Sequence, residues 1–198
     1  MRLDEEYCLS EYADLGRLGD NEKVHIVRNQ VNGVIGVRKY VALDLEEIYL
    51  FLKENPNAYI PKIYECIQTD TNLIVIEEYL SGKNLEEMLK EKYFSEKDAA
   101  DIIICLCNAL YPLHHAKMPV ICRDLKAENV ILTNEGEVKL VDFDIARIYQ
   151  PGKSKDTVMM GTQGYAAPEQ FGFGQTDART DIYAMGVLLN YMLVREFP

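Results

Sequence analysis

ICRDLKAENVIL, at residues 121–132, is the stretch around which the rest of this chain can be interpreted. A second run, VKLVDFDIAR at residues 138–147, follows it closely. Apolar residues flank both runs, as is typical of short buried strands that end in loops. The two loops therefore carry four polar side chains at neighbouring positions: Asp124, Lys126, Asn129 and Asp142.

Two carboxylates, an amide and an ammonium on adjacent loops form a coherent chemical set. A carboxylate can accept the proton of a hydroxyl group, and an ammonium can neutralise the charge of a moving phosphoryl group. Asn and Asp oxygens are ligands that suit a hard divalent cation. Either run alone could be an ordinary turn or strand end, because short motifs often match by chance. Their order and spacing argue against two unrelated turns.

The full series of motifs resembles the signature of eukaryotic-type (Hanks-type) serine/threonine protein kinases. In order along the chain, its members are Arg123-Asp124-Leu125-Lys126, Asn129, Asp142-Phe143, Gly161-Thr162 and Ala167-Pro168-Glu169. Asp124 precedes Asn129 by five residues and Asp142 by eighteen, a combination that chance would rarely supply. GYAAPEQ at residues 164–170 and DIYAMG at residues 181–186 are most similar to bacterial members.

The resemblance covers nearly the whole chain and implies an α+β, two-lobed protein-kinase-like fold. Residues 1–79 are expected to form a small N-lobe with an antiparallel sheet, and residues 80–198 a helical C-lobe. Family members normally continue for several more helices, one with an Arg that pairs with the residue equivalent to Glu169. We therefore expect an incomplete C-lobe, from either a fragment of a longer protein or a naturally truncated kinase.

The implied activity is transfer of the γ-phosphate of ATP, with Mg²⁺, to Ser or Thr hydroxyls of protein substrates. Asp124 would accept or orient the proton of the substrate hydroxyl, and Lys126 would contact the γ-phosphate. Asn129 and Asp142 would coordinate Mg²⁺. Ile131 would form part of the floor of the adenine pocket.

The residues that would cover the ATP phosphates lie earlier in the chain. Gly16 and Gly19 are what remains of the family's glycine-rich loop. Two strands are predicted after it, at residues 24–27 and 34–41, because Asn32-Gly33 between them is a strong hairpin signal.

The second of these strands should deliver the lysine that pairs the α- and β-phosphates. We predict Lys39 for this role, with Arg38 as the alternative, because a one-residue slip in register moves a side chain to the other face of the sheet. A helix is predicted over residues 45–54, and its glutamate that pairs with the lysine would be Glu47. Glu46 is the alternative on the neighbouring helical position.

Two further strands, at residues 60–64 and 73–76, would complete a five-stranded sheet. The hinge that follows would read the adenine edge through the carbonyl of Glu78 and the amide of Leu80. Glu77 falls at the gatekeeper position, where the family usually has an apolar side chain or Thr. A carboxylate facing such a pocket is costly unless it has a partner.

Two departures from the family pattern affect the catalytic loop itself. Cys122 stands where the family usually has a His that braces the loop, and Asp144 replaces the glycine that usually follows Asp-Phe. Because glycine tolerates backbone conformations that Asp adopts less readily, Asp144 is expected to restrict movement of this loop. Neither change removes the catalytic carboxylate or a metal ligand.

The segment from residue 142 to residue 169 would be the activation segment. Arg123 beside Asp124 implies regulation by a phosphate that pairs with this arginine. Thr157 is our predicted phosphosite, ahead of Ser154, while Thr162 is expected to have a structural role.

Composition narrows the possible partners and location. A net charge of −11 argues against a nucleic-acid-binding surface. Five cysteines without a disulfide-like framework favour a reducing, cytoplasmic environment. No apolar run reaches the length of a membrane span, and no signal peptide is recognisable.

Two other functions compete with a protein kinase. A pseudokinase-like or truncated module could bind nucleotide or a partner without turnover, and the sparse glycines, Glu77 and Cys122 favour it. A small-molecule phosphotransferase of the aminoglycoside-kinase type shares the catalytic-loop logic. It would lack Gly161-Thr162 and Ala167-Pro168-Glu169, and is therefore the weaker alternative.

Overall fold

The structure is a computed structural model that describes residues 3–19, 22–152, 160–172 and 174–198. Its backbone divides into two compact units. The first comprises Met1–Asn57 with Pro61–Leu80, and the second comprises Ala58–Ile60 with Ser81–Pro198.

The first unit is built on a five-stranded antiparallel sheet, and the strand order is β1-β2-β3-β5-β4. Its helices and strands are α1 (Leu3–Ser10), β1 (Tyr12–Arg17), β2 (Val24–Asn29), β3 (Ile35–Val41), α2 (Glu46–Glu54), β4 (Ile63–Gln68) and β5 (Leu73–Glu78). The predicted sheet is thus confirmed. Strand β4 begins later than predicted, and Pro61, which has no amide hydrogen to donate to a ladder, lies just before it.

The turn between β2 and β3 shows why the hairpin signal was reliable. The side chain of Asn29 accepts hydrogen bonds from the amides of Val31 (2.9 Å) and Asn32 (3.1 Å). Gly33 has a φ of 76°, a left-handed conformation that favours glycine. Local chemistry therefore fixes the register of the two strands that flank the turn.

Helix α2 packs against β4. Its buried residues are Ile48, Tyr49 and Leu52, whereas Leu50 is 40% exposed. Aromatic and aliphatic side chains occur all around this short helix, so periodicity alone did not single out the face that meets the sheet.

The second unit is mainly helical. Its helices and strands are β6 (Gly82–Asn84), α3 (Leu85–Glu91), α4 (Glu96–His114), β7 (Val120–Ile121), β8 (Val130–Thr133), β9 (Val138–Leu140), β10 (Arg147–Ile148) and α5 (Ala178–Val194). The strands form a three-stranded sheet in the order β6-β8-β9 and a pair of β10 with β7. The expected combination of an antiparallel sheet and helices in an α+β fold is confirmed.

Helix α4 is the scaffold of the second unit. Ser95 begins it with a capping box, in which the Ser95 hydroxyl accepts from the amide of Asp98 and the Asp98 carboxylate accepts from the amide of Ser95. Leu106 and Leu110 are buried on the face that packs against α5 and β9. In the described part of the chain, none of the helices has the length and apolar character needed to cross a bilayer.

Candidate active site

The two polar loops predicted from the sequence lie side by side in the second unit. Residues 122–126 follow β7, and a short 3-10 helix (Ala127–Asn129) leads from them into β8. Asp142 follows β9. The backbone amide of Val141 donates to the carbonyl oxygen of Asn129 at 2.9 Å, and this bond holds the second loop against the first.

The Asp124 carboxylate is the centre of a hydrogen-bonded cluster. Its Oδ2 lies 2.8 Å from the Nζ of Lys126 and accepts a bond of 3.0 Å from the Nδ2 of Asn129. Its Oδ1 accepts a bond of 2.6 Å from the hydroxyl of Thr162, which in turn lies 3.2 Å from the Nζ of Lys126. The structure therefore brings the predicted base, the predicted cation and Thr162 together.

Asn129 and Asp142 present oxygen atoms that suit a hard cation. The Nδ2 of Asn129 donates to both the carbonyl (2.9 Å) and the carboxylate (3.0 Å) of Asp124, so the orientation of the amide is fixed. Asp142 has a φ of 67°, and its Oδ1 accepts from the amide of Asp144 at 3.1 Å. Such a left-handed conformation in a residue other than glycine is typical of functional sites.

The metal predicted from the sequence would depend on this amide and carboxylate. In the described residues, no three His, Cys, Asp or Glu side chains converge in a metal-binding cluster. A set of one amide and one carboxylate nevertheless fits Mg²⁺, which keeps several water or substrate oxygens in its coordination shell.

Asp181, in the first turn of α5, supports the catalytic loop from behind. It is completely buried and accepts bonds from the backbone amides of Cys122 (3.0 Å) and Arg123 (2.9 Å). Its Oδ2 also lies 2.7 Å from the Nε2 of His114 at the end of α4. His114 was not predicted, and its only sequence signal is its position at the end of the scaffold helix.

Cys122 occupies the position where a His was expected. Its side chain is buried, and this burial raises the pKa of the thiol well above its usual range. The thiol is therefore an uncharged packing group, and the loop is held through the Cys122 backbone amide instead.

Lys39 and Arg38 point to opposite faces of the sheet in the first unit. The Arg38 guanidinium lies 2.5 Å from the Asp14 carboxylate, which also lies 2.8 Å from the Nδ1 of His25. The Nζ of Lys39 lies 2.6 Å from Oε1 of Glu77. Arg38 and Lys39 therefore have different acidic partners, and the role of Lys39 in contact with phosphate stays a prediction.

The pairing of Lys39 with Glu47 stays a prediction. Glu47 is exposed in the first turn of α2, and Lys39 contacts Glu77 on β5. Helix α2 turns Ile48 and Tyr49 into the core, which directs the preceding glutamate towards solvent. Glu46, the alternative, is half-buried in the same turn.

A comparison of the sequence with known protein families identifies the family to which these motifs belong. The protein kinase domain matches residues 26–198 of the chain. The chain belongs to the protein kinase family. The expected resemblance to serine/threonine kinases of the Hanks type, including bacterial ones, is thereby confirmed.

Several curated relatives of this kinase domain carry serine/threonine kinase names. A probable serine/threonine-protein kinase PknB of Corynebacterium glutamicum is 40% identical over 128 residues, which are 63% of this chain and 19% of the relative. Serine/threonine-protein kinase A of a Synechocystis strain is 36% identical over 132 residues, 61% of this chain and 25% of the relative. A mitogen-activated protein kinase kinase, SIPKK, of Nicotiana tabacum is 27% identical over 98% of this chain and 57% of the relative. The kinase domain spans between 12% and 32% of the length of the first three relatives.

The remaining residues predicted to bind the nucleotide lie in the described part of the chain, on β1 or in the turn after it, at the end of β5 or just after it, and on β8. Gly16 and Gly19 have φ angles of 127° and 67°, so both need the freedom of glycine. The amide of Glu78 donates to a neighbouring backbone carbonyl, and Leu80 lies half-buried just after β5. Ile131 is half-buried on β8. The proposed phosphosite, Thr157, and the alternative Ser154 lie outside the described residues.

Two residues of the kinase domain that hold the activation segment were not predicted. The Nε2 of Gln170 donates to the carbonyls of Arg123 (2.8 Å) and Met160 (2.7 Å). The hydroxyl of Thr180 donates to the Glu169 carboxylate at 2.6 Å. Glu169 therefore has a hydroxyl partner on α5, which is a different group from the Arg that pairs with this glutamate in the family. The only sequence signal for Gln170 was its place directly after Ala-Pro-Glu.

Proposed function

We propose that this chain is a protein serine/threonine kinase domain that transfers the γ-phosphate of Mg-ATP to a Ser or Thr hydroxyl of a protein substrate. The observation that carries the proposal is the cluster around Asp124, in which a carboxylate, the Lys126 ammonium and a threonine hydroxyl converge within hydrogen-bonding distance. The family match and the names of the relatives support the same activity.

The chain's own groups account for the chemistry of proton and phosphoryl transfer. Asp124 would orient the substrate hydroxyl and accept its proton as the bond to phosphorus forms. Lys126 would neutralise charge on the transferred group, and Thr162 keeps both side chains in place. Because Asp124 and Lys126 are already positioned, little reorganisation is needed when substrate binds.

Asn129 and Asp142 would hold the divalent cation. A bound Mg²⁺ would neutralise charge on the phosphate oxygens and orient them. In the chain itself, Asn129 also steadies Asp124, so the metal site and the base share a residue.

The nucleotide would be held by further groups of the chain. Lys39 would pair with phosphate oxygens, and the backbone at Gly16 and Gly19 would cover them. Glu78, Leu80 and Ile131 would contact the adenine. The five free cysteines favour a reducing compartment such as the cytoplasm for this activity.

A nucleotide-binding module without turnover is the second candidate. The observation that favours it is Glu77, which engages the lysine expected to hold phosphate. In this case ATP would bind, but phosphate would not be transferred.

Calorimetric titration of ATP with and without Mg²⁺ tests binding, and phosphate incorporation into a generic protein substrate tests turnover. We expect Mg²⁺-dependent binding that Asp142→Asn weakens more than Asp124→Asn, together with turnover that Asp124→Asn abolishes. The reverse order of the two binding effects would show that their roles are exchanged. Binding without turnover in the unmodified chain would favour the second candidate.

A further inference from the structure

We propose that Glu77, on the interior strand β5, positions Lys39 for the nucleotide phosphates, a role that the family resemblance assigned to a helix glutamate. The inference rests on the proposed nucleotide-binding function and names a positioning residue for it. The unusual glutamate at the gatekeeper position would thus have a role in nucleotide binding.

The register of the sheet brings the two side chains together. In the pairing of β3 with β5, Lys39 lies opposite Val75, and Val37 lies opposite Glu77. Lys39 and Glu77 are therefore diagonal neighbours on one face of adjacent strands, within reach of long side chains. The resulting distance between Nζ and Oε1 is 2.6 Å, short enough for a charge-assisted hydrogen bond.

The surroundings of Glu77 make this partner necessary. Glu77 is only 7% exposed. On the neighbouring strands it lies opposite Val37 of β3 and Ile63 of β4, and both of these residues are buried. A desolvated carboxylate among apolar neighbours is costly unless a cation compensates it. Lys39, whose side chain is 13% exposed, supplies that cation.

The location of the pair has a consequence for regulation. Lys39 and Glu77 belong to hydrogen-bonded neighbouring strands, so their contact persists as long as the sheet is folded. Neither residue of this pair belongs to α2, whose Glu47 is exposed. Movement of α2 should therefore leave the phosphate-binding lysine in place.

A double-mutant cycle on nucleotide binding tests the coupling. Glu77→Gln should weaken Mg-ATP binding about tenfold or more, the size expected for one hydrogen bond to a charged group. In a Lys39→Met background the same change should have little further effect, because Glu77 acts through the lysine. Glu65→Gln, which alters the pair between Glu65 on β4 and Lys53 of α2, is the matched control.

Three results in this experiment would overturn the proposal. They are unchanged affinity in Glu77→Gln, equal losses from Glu77→Gln with and without Lys39, and a larger loss from Glu47→Gln than from Glu77→Gln. Glu77→Asp, which retains the charge, should bind ATP more tightly than Glu77→Gln if the carboxylate is what matters.

A second measurement needs no nucleotide and separates this proposal from the proposed function. An amine-directed acylating reagent should label Lys39 several-fold faster in Glu77→Gln than in the unmodified chain, as followed by peptide mass spectrometry. The reason is geometric, because Oε1 of Glu77 lies 2.6 Å from the amine nitrogen and shields it from the reagent. If the unmodified chain binds no ATP, the proposed function fails, and labelling alone decides whether Glu77 holds Lys39. Equal labelling rates would refute the pairing.

Discussion

Asp124 and Asp181 are both carboxylates of the catalytic loop region, but their partners give them different roles. Asp181 is completely buried and accepts hydrogen bonds from two backbone amides. These amides cannot move away unless the loop unfolds. Asp124 contacts side chains, which can exchange these bonds for bonds to a substrate. We infer a structural role for the first and a chemical role for the second.

Replacing Asp181 tests the structural role. Asp181→Asn should lower the free energy of unfolding by about 2–4 kcal/mol, because the asparagine NH₂ would face one of the two backbone amides that now donate to a carboxylate oxygen. Thermal unfolding measures the loss. Asp101→Asn, at an exposed pair with Lys97, should change stability by no more than about 0.5 kcal/mol. Comparable small effects of both variants would contradict this role.

Thr162 tests the chemical cluster. Thr162→Ala removes the hydroxyl that donates to Asp124, and should reduce phosphate transfer about tenfold, the effect of one hydrogen bond to a charged group. Thr162→Ser retains the hydroxyl and should keep most of the activity. Steady-state transfer rates at saturating ATP measure both variants, and equal activity of alanine and serine variants would show that the hydroxyl is dispensable.

Among the elements, α5 organises more of the site than its sequence suggests. Asp177 caps its first turn, and its first turns present both Asp181 to the catalytic loop and Thr180 to the Ala-Pro-Glu motif. Helix α4, which packs against α5, contributes His114 to the same carboxylate. One pair of helices thus positions both the catalytic loop and the end of the activation segment.

The bond between Thr180 and Glu169 can be tested by a change of nearly constant volume. Thr180 is completely buried, so Thr180→Val removes the donor without a large cavity and leaves the carboxylate without it. We expect a loss of about 1–3 kcal/mol in unfolding free energy. Thr180→Ser keeps the hydroxyl and should be less destabilising, although it lacks a methyl group. Thermal or urea unfolding distinguishes the two, and a more damaging serine variant would show that packing outweighs the bond.

At the scale of the whole molecule, the cysteines show how burial controls chemistry in a chain without disulfides. All five are free. Burial raises the pKa of Cys66, in the first unit, to about 11, and raises the pKa of Cys122, in the second, well above its ordinary value. Both thiols are consequently poor nucleophiles in the folded state, because the thiolate is the reactive form.

These shifts predict a loss of stability in alkali. Well below the ordinary thiol pKa of about 8.5, the thiols are protonated in both states and contribute nothing to the pH dependence. As pH rises further, the unfolded chain releases protons that the folded chain still binds, so the free energy of unfolding falls. Cys122→Ser should therefore show a shallower decline between about pH 8.5 and 10.5 than the unmodified chain. Cys107→Ser, at an exposed position, should keep the original slope, and an unchanged slope in Cys122→Ser would contradict the prediction.

The features that depend on local chemistry could be predicted from the order of the residues alone. Spacing along one loop placed Asp124, Lys126 and Asn129 in one cluster, because five residues of chain cannot separate them far. The Asn32-Gly33 turn and the Ser95 cap were also predictable, since each depends on contacts between residues only a few positions apart.

Contacts between residues that are far apart in the sequence could not be predicted in this way, because they depend on how the chain packs. Lys39 and Glu77 are 38 residues apart and meet because β3 and β5 pair in one register. Thr180 reaches Glu169, and Gln170 reaches Arg123 across 47 residues, because folding places their elements side by side. A one-residue change in strand register or a rotation of α2 would have selected other partners from the same sequence. The choice depends on which faces become buried, and this is a property of the packed chain rather than of any local pattern.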